Sequence, residues 1–127
     1  MSDKSILLVD DDDDDCFLFQ DALNEVNRNA ELRTTSSCDQ LMIMLNREAD
    51  LPDLIVMDLN MPKKNGFECL ECLKVTRELK NIPVVIMSTA IQCESNEQIR
   101  DRGAARYFTK PNTFEALKEI VAQLLTH

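Results

Sequence analysis

The sequence predicts an α/β fold of the doubly wound kind, a five-stranded parallel sheet covered by helices on both faces. Three observations lead there. Short runs of β character alternate five times with longer stretches of helical period. Three of those runs, at 5–10, 53–58 and 83–88, are nearly continuous Val, Ile, Leu and Met, as expected of strands buried on both faces. Turn residues fall between the runs and the helical stretches where such a scheme needs them. With right-handed crossovers, the alternation closes into a sheet wound in both directions.

Each element has its own warrant. The first strand, 5–10, carries Ile6-Leu7-Leu8-Val9 and ends at Asp10. The first helix is expected over about 14–28, entered through the acidic run Asp10 to Asp15. Asp12 to Asp15 read as a solvated helix start, because the N-terminus of a helix favours acids. The second strand, 31–35, is followed by a helix over 38–48. Pro52 precedes the third strand, 53–58, whose Leu54-Ile55-Val56-Met57 runs into Asp58. Asn65-Gly66 breaks the chain before a helix over 66–79. Pro83 introduces the fourth strand, 83–88, which ends on Ser88, and Gly103 stops the following helix, 93–102. The fifth strand, 105–109, delivers Tyr107-Phe108-Thr109 and then Lys110. The last helix, 113–126, is plainly amphipathic: Phe114, Leu117, Val121 and Leu124 share a face, mostly opposite Glu115, Lys118, Glu119 and Gln123.

Size and charge narrow the function. A chain of 127 residues fits one domain, 1–127, with a real core. The net charge of -9, relieved only by the short Lys63-Lys64 pair, argues against direct binding of nucleic acid, itself a polyanion. No apolar run is long enough for membrane insertion, and Met-Ser-Asp-Lys does not resemble a secretory signal, so a cytoplasmic location is expected. The five cysteines, an odd number, are expected to be free thiols that pack as small apolar residues. Cys69 and Cys72 form a C-x-x-C, but two further ligands for a structural zinc are missing. Met42, Met44, Met57 and Met87 read as core filler.

The chemistry gathers at the strand ends. In a doubly wound sheet the ligand crevice lies beyond the C-terminal ends of the strands, where the strand order reverses, which points to the first and third strands here. Asp10 and Asp11 stand at one end and Asp58 at the other. Carboxylates so close repel, and a divalent cation relieves the repulsion. Mg²⁺, an octahedral oxygen-seeking ion, suits the set. Asp11 and Asp58 are its expected direct ligands, Asp10 a ligand through water, and the backbone carbonyl of Asn60 a third protein oxygen. Asp58 is also the expected nucleophile toward phosphorus, since carboxylates form aspartyl phosphates. Lys110 would pair with a phosphoryl oxygen, and Ser88 would donate a hydrogen bond to another. Such a bond exists only after transfer, which makes Ser88 a sensor, and Tyr107 could then move into space behind it. A calcium loop is excluded, because the acidic run continues into Cys16-Phe17-Leu18-Phe19 with no glycine at the sixth position.

Four stretches together resemble the receiver domain of two-component response regulators. They are Ile6 to Asp12, Met57 to Gly66, Pro83 to Ser88, and Tyr107 to Pro111, in order and suitably spaced along essentially the whole chain. The resemblance implies a flavodoxin-like (βα)5 fold with strand order 2-1-3-4-5, an order carried over from the family and not read from this chain's residues. It implies a phosphoacceptor at Asp58, an acidic Mg²⁺-binding pair at Asp10 and Asp11, a switch pair at Ser88 and Tyr107, and a cis bond before Pro111. The phosphoryl donor would be a phosphohistidine on a histidine kinase or histidine phosphotransfer protein, and the output would pass to a downstream protein target. Asp13 stands where many such domains have proline, and Asn65 where aspartate is commoner. Two alternatives remain: a pseudo-receiver that works as an interaction module without phosphorylation, and an aspartyl-phosphate phosphatase. The second usually needs an acid/base aspartate two residues after the nucleophile, where this chain has Asn60. A turnover enzyme acting on other substrates is therefore not expected.

Overall fold

The computed structural model describes residues 4–47, 51–59, 66–88 and 96–126, with residues 96–98 described by their backbone only. In chain order the elements are β1 (Ser5–Val9), α1 (Asp13–Val26), β2 (Glu31–Thr35), α2 (Cys38–Arg47), β3 (Leu54–Met57), α3 (Gly66–Val75), β4 (Val84–Ser88), α4 (Asn96–Asp101), β5 (Arg106–Thr109) and α5 (Phe114–Leu125). The five strands form one parallel sheet in the order β2-β1-β3-β4-β5. This is the expected doubly wound arrangement, with β1 placed where the winding direction reverses.

Side-chain alternation within buried strands builds two cores, one on each face. Ile6 and Leu8 of β1, Leu54 and Val56 of β3, and Val85 and Met87 of β4 point to one side, where Phe19, Ala22 and Leu23 of α1 meet Leu117, Val121 and Leu124 of α5. Leu7, Val9, Ile55, Met57, Val84 and Ile86 point to the other, against Leu41 and Leu45 of α2, Cys69, Leu70 and Leu73 of α3, and Ile99 of α4. Every residue of β3 and β4 is buried, which explains the unbroken apolar runs. Full burial of each such Leu, Ile or Val stabilises the fold by roughly 1.5–3 kcal/mol.

Helix ends follow local chemistry. Asp12 caps α1, its side chain accepting from the Asp14 and Asp15 amides. Thr113 caps α5 by accepting from the Ala116 amide. Gly103 adopts φ 109° just past α4, the stop its identity suggested. α3 ends at Val75, four residues before the expected 79. There the Thr76 hydroxyl donates to the Cys72 carbonyl and the chain passes into tight turns, with Leu79 and Lys80 amides donating to the Thr76 carbonyl.

Two expectations are corrected. Cys38 and Cys69 form a disulfide, although all five cysteines were expected to be free. The reason is topological: α2 and α3 cover the same core face, so residues 31 apart in sequence come to a Cα separation of 5.6 Å, within bridging range. Cys16 and Cys72 take part in no disulfide, as expected, and Cys93 lies outside the described residues. The second correction concerns Pro111: no described peptide bond is cis, so Lys110–Pro111 is trans, the form favoured by default for any X–Pro bond. Among the described residues, no helix is long and apolar enough to cross a membrane.

Candidate functional site

Three backbone hydrogen bonds carry the ladder one step past the strands and fix the site. The Asp10 amide donates to the Thr35 carbonyl at 3.0 Å, the Asp58 amide to the Val9 carbonyl at 2.9 Å, and the Lys110 amide to the Ser88 carbonyl at 2.7 Å. Asp10, Asp58 and Lys110 therefore emerge at one edge, from β1, β3 and β5. Parallel pairing in a shared register brings together residues a hundred positions apart.

The side chains converge as well. Oxygen atoms from Asp10, Asp11 and Asp58 all lie within 4.8 Å of one another, with Asp10 and Asp58 buried and Asp11 exposed. The Lys110 ammonium donates to Asp15 Oδ2 at 2.7 Å, to Asp10 Oδ2 at 3.3 Å and to Asp58 Oδ2 at 3.3 Å. An ammonium has three hydrogens, so these acceptors use its full capacity. The other oxygen of Asp10 accepts the Asp12 amide at 2.9 Å, which ties the site to the start of α1.

Burial and charge pull the site's protonation in opposite directions. Burial pushes the Asp10 carboxyl up to about 6; Asp58 and Asp15 push the same way, while the Asp12 amide and the Lys110 ammonium partly offset them. For Lys110, burial alone would lower the pKa, but the Asp15 hydrogen bond and the charges of Asp10, Asp58 and Asp15 outweigh it and raise it above the ordinary lysine range. The Cys16 thiol is pushed up to about 11 by burial and then by the acids Asp10, Asp13, Asp15 and Asp12, so it stays protonated at neutral pH and is a poor nucleophile there. Three carboxylates share one ammonium, and Asp11 adds a fourth negative group beside them. Such an oxygen-rich, negatively charged donor set fits a hard divalent cation such as Mg²⁺, with Asp10, Asp11 and Asp58 as the side chains to hold it.

The expected residues divide as follows. Asp10, Asp11, Asp58 and Lys110 come together. Ser88 is fully buried at the end of β4, the neighbour of β3, and its carbonyl receives the Lys110 amide. Tyr107 is half-buried on β5 beside the α2–α3–α4 core, with its hydroxyl 3.3 Å from that of Thr109. Asn60, the expected source of a backbone oxygen, lies outside the described residues. Asp12, Asp13 and Asp14 are exposed at the helix start, as expected, but Asp15 is not merely solvated: it makes the shortest contact to Lys110. The signal was in the spacing, because Asp15 lies four residues before Phe19 and eight before Leu23, both buried on the inner face of α1. Beside these groups, Leu18, Phe19, Met87, Phe114 and Leu117 line an apolar cavity of about 150 Å³ between α1 and α5.

A family described as the response regulator receiver domain matches residues 6–122. The polar-differentiation response regulator DivK of Brucella ovis is 30% identical over 122 residues, covering 96% of this chain and 96% of the relative. Among solved structures, the phosphorylated cyanobacterial phytochrome response regulator RcpA superposes with a TM-score of 0.85 at 36% identity, over 96% of this chain and 91% of that one. The Mn²⁺-bound form of response regulator Rcp1 superposes with a TM-score of 0.81 at 31% identity, over 95% and 91%.

Proposed function

The chain belongs to the response regulator receiver family, and from that premise we propose that it accepts a phosphoryl group on Asp58 from a phosphohistidine, with Mg²⁺ as cofactor. One observation carries the reading above all: the Lys110 ammonium lies 3.3 Å from both Asp10 and Asp58, on adjacent strand ends at the point where the sheet reverses. The similarity to a phosphorylated relative and to a Mn²⁺-bound one supports it further.

In the reaction, an Asp58 carboxylate oxygen attacks phosphorus in line with the leaving imidazole nitrogen, forming the P–O bond as the P–N bond breaks, and the imidazole takes up a proton. Asp10, Asp11 and Asp58 would hold Mg²⁺, which would neutralise carboxylate and phosphoryl charge when bound. Lys110 balances charge on a phosphoryl oxygen, and Ser88 donates a hydrogen bond to another. Phosphoryl transfer asks little more of a protein than such positioning and charge compensation. Tyr107 then follows Ser88, and the altered α4–β5–α5 surface is read by a downstream protein. The donor is a histidine kinase or a histidine phosphotransfer protein.

Incubation with acetyl phosphate and Mg²⁺, followed by intact mass, tests the reading. A single phosphoryl adduct in the wild type and none in Asp58→Asn is expected. Absence of the adduct from the wild type, or its persistence in Asp58→Asn, would favour a pseudo-receiver that binds partners without phosphorylation. Hydrolysis of p-nitrophenyl phosphate should stay at background, since Asn60 offers no acid/base carboxyl where a phosphatase needs one.

A further inference from the structure

We propose that Asp15 is a positioning residue that holds the Lys110 ammonium and must release it before an incoming phosphoryl group can be bound, so that it sets how fast the site is charged. The proposal rests on the reading of Asp58 as phosphoacceptor.

Lys110 has no donor to spare. Its hydrogens go to Asp15, Asp10 and Asp58, and the bond to Asp15, at 2.7 Å, is the shortest. A phosphoryl oxygen arriving at Asp58 needs one of these donors, so one acceptor must give way. The exposures decide which. The Asp10 and Asp58 side chains are 4% and 5% exposed and have no room to turn toward solvent, whereas Asp15 is 36% exposed and can turn into water. Asp15 is therefore the acceptor that yields. Its place is fixed from both sides: the Asp12 cap accepts the Asp15 amide, and one turn further Phe19 anchors α1 in the core. The side chain stands over the site because the helix carries it there. While bound to Asp15, the ammonium is partly neutralised toward any second anion, and release from a part-buried pair whose carboxylate opens to water carries only a modest cost. The device slows charging without blocking it.

Rates of adduct formation with acetyl phosphate and Mg²⁺ test this in the wild type, Asp15→Ala, Asp14→Ala, Lys110→Ala and the Asp15→Ala/Lys110→Ala double variant. Asp14 is the control, because it carries the same charge one residue away and is exposed. Asp15→Ala is expected to react about fivefold faster than wild type, and Asp14→Ala within about twofold of it. The gain should vanish in the Lys110→Ala background, where there is no ammonium to release. Equal effects of Asp15→Ala and Asp14→Ala would reduce Asp15 to general electrostatics and overturn the proposal. So would a slower Asp15→Ala, or a gain that survives loss of Lys110. A second readout does not depend on phosphorylation: the ¹⁵N NMR signal of the Lys110 ammonium should be sharp in wild type and in Asp14→Ala, and broadened by solvent exchange in Asp15→Ala. An unchanged signal would also overturn the proposal. If the signal behaves as expected but no wild-type adduct forms, the phosphoacceptor reading and the release step fail together while the tether itself stands.

Discussion

Asp10 carries the clearest electrostatic cost in the fold. Its carboxyl is raised from the ordinary 3.8 to about 6, with burial as the main cause. Between those values the folded state binds more proton than the unfolded chain, so this group's contribution to stability falls as pH rises through about 4 to 6 and stays lowered above that. Without divalent cations, Asp10→Asn should therefore raise the melting temperature at pH 7.5 and have little effect near pH 4, measured by thermal denaturation of both proteins. Cation binding requires the ionised carboxylate, so the stabilisation by Mg²⁺ should shrink as pH drops below about 6. Asp10, Asp58 and Lys110 were legible in the sequence because each follows an apolar run, and a strand's end tells where its next residue goes. Asp15 was hidden among neighbours of the same type, and only its spacing from Phe19 and Leu23 set it apart.

Helices and turns decide how firmly those residues are held. A Cβ on Gly66 would lie 2.8 Å from the Asp58 carbonyl oxygen and 2.9 Å from the Leu59 Cα, so α3 begins where only glycine fits against the acceptor's own backbone. Gly66→Ala should cost about 1–3 kcal/mol in chemical denaturation and slow adduct formation at Asp58, because backbone must shift to admit the methyl group. Thr113→Ala removes the cap of α5 and should cost about 1 kcal/mol, with little effect on the site. The existence and type of every element followed from apolar period. Their ends did so less well: the early stop of α3 depends on the Thr76 hydroxyl turning back to the Cys72 carbonyl, a local competition that periodicity does not register. The Cys38–Cys69 pair is of the same kind, since counting cysteines says nothing about which helices share a face.

At the scale of the molecule, the sheet order explains why so small a chain can bring its functional groups together. Winding outward from β1 to β2 and back across to β3 leaves a crevice at the reversal, and the two cores hold the strands that border it from both sides. The strand runs predicted the layers, whereas the order itself could be anticipated only through likeness to a family, because periodicity does not say which strand lies beside which. One detail of this frame reaches further. The Asp58 amide donates to the Val9 carbonyl between the two central strands β1 and β3, so the proposed phosphoacceptor sits on a stiff anvil. Adjustment to the proposed phosphoryl group is then expected in side chains such as Ser88 and Tyr107 and not in this backbone pairing. Amide hydrogen exchange at Asp58 should accordingly stay slow with or without beryllofluoride, while any change in protection falls outside the β1–β3 pairing.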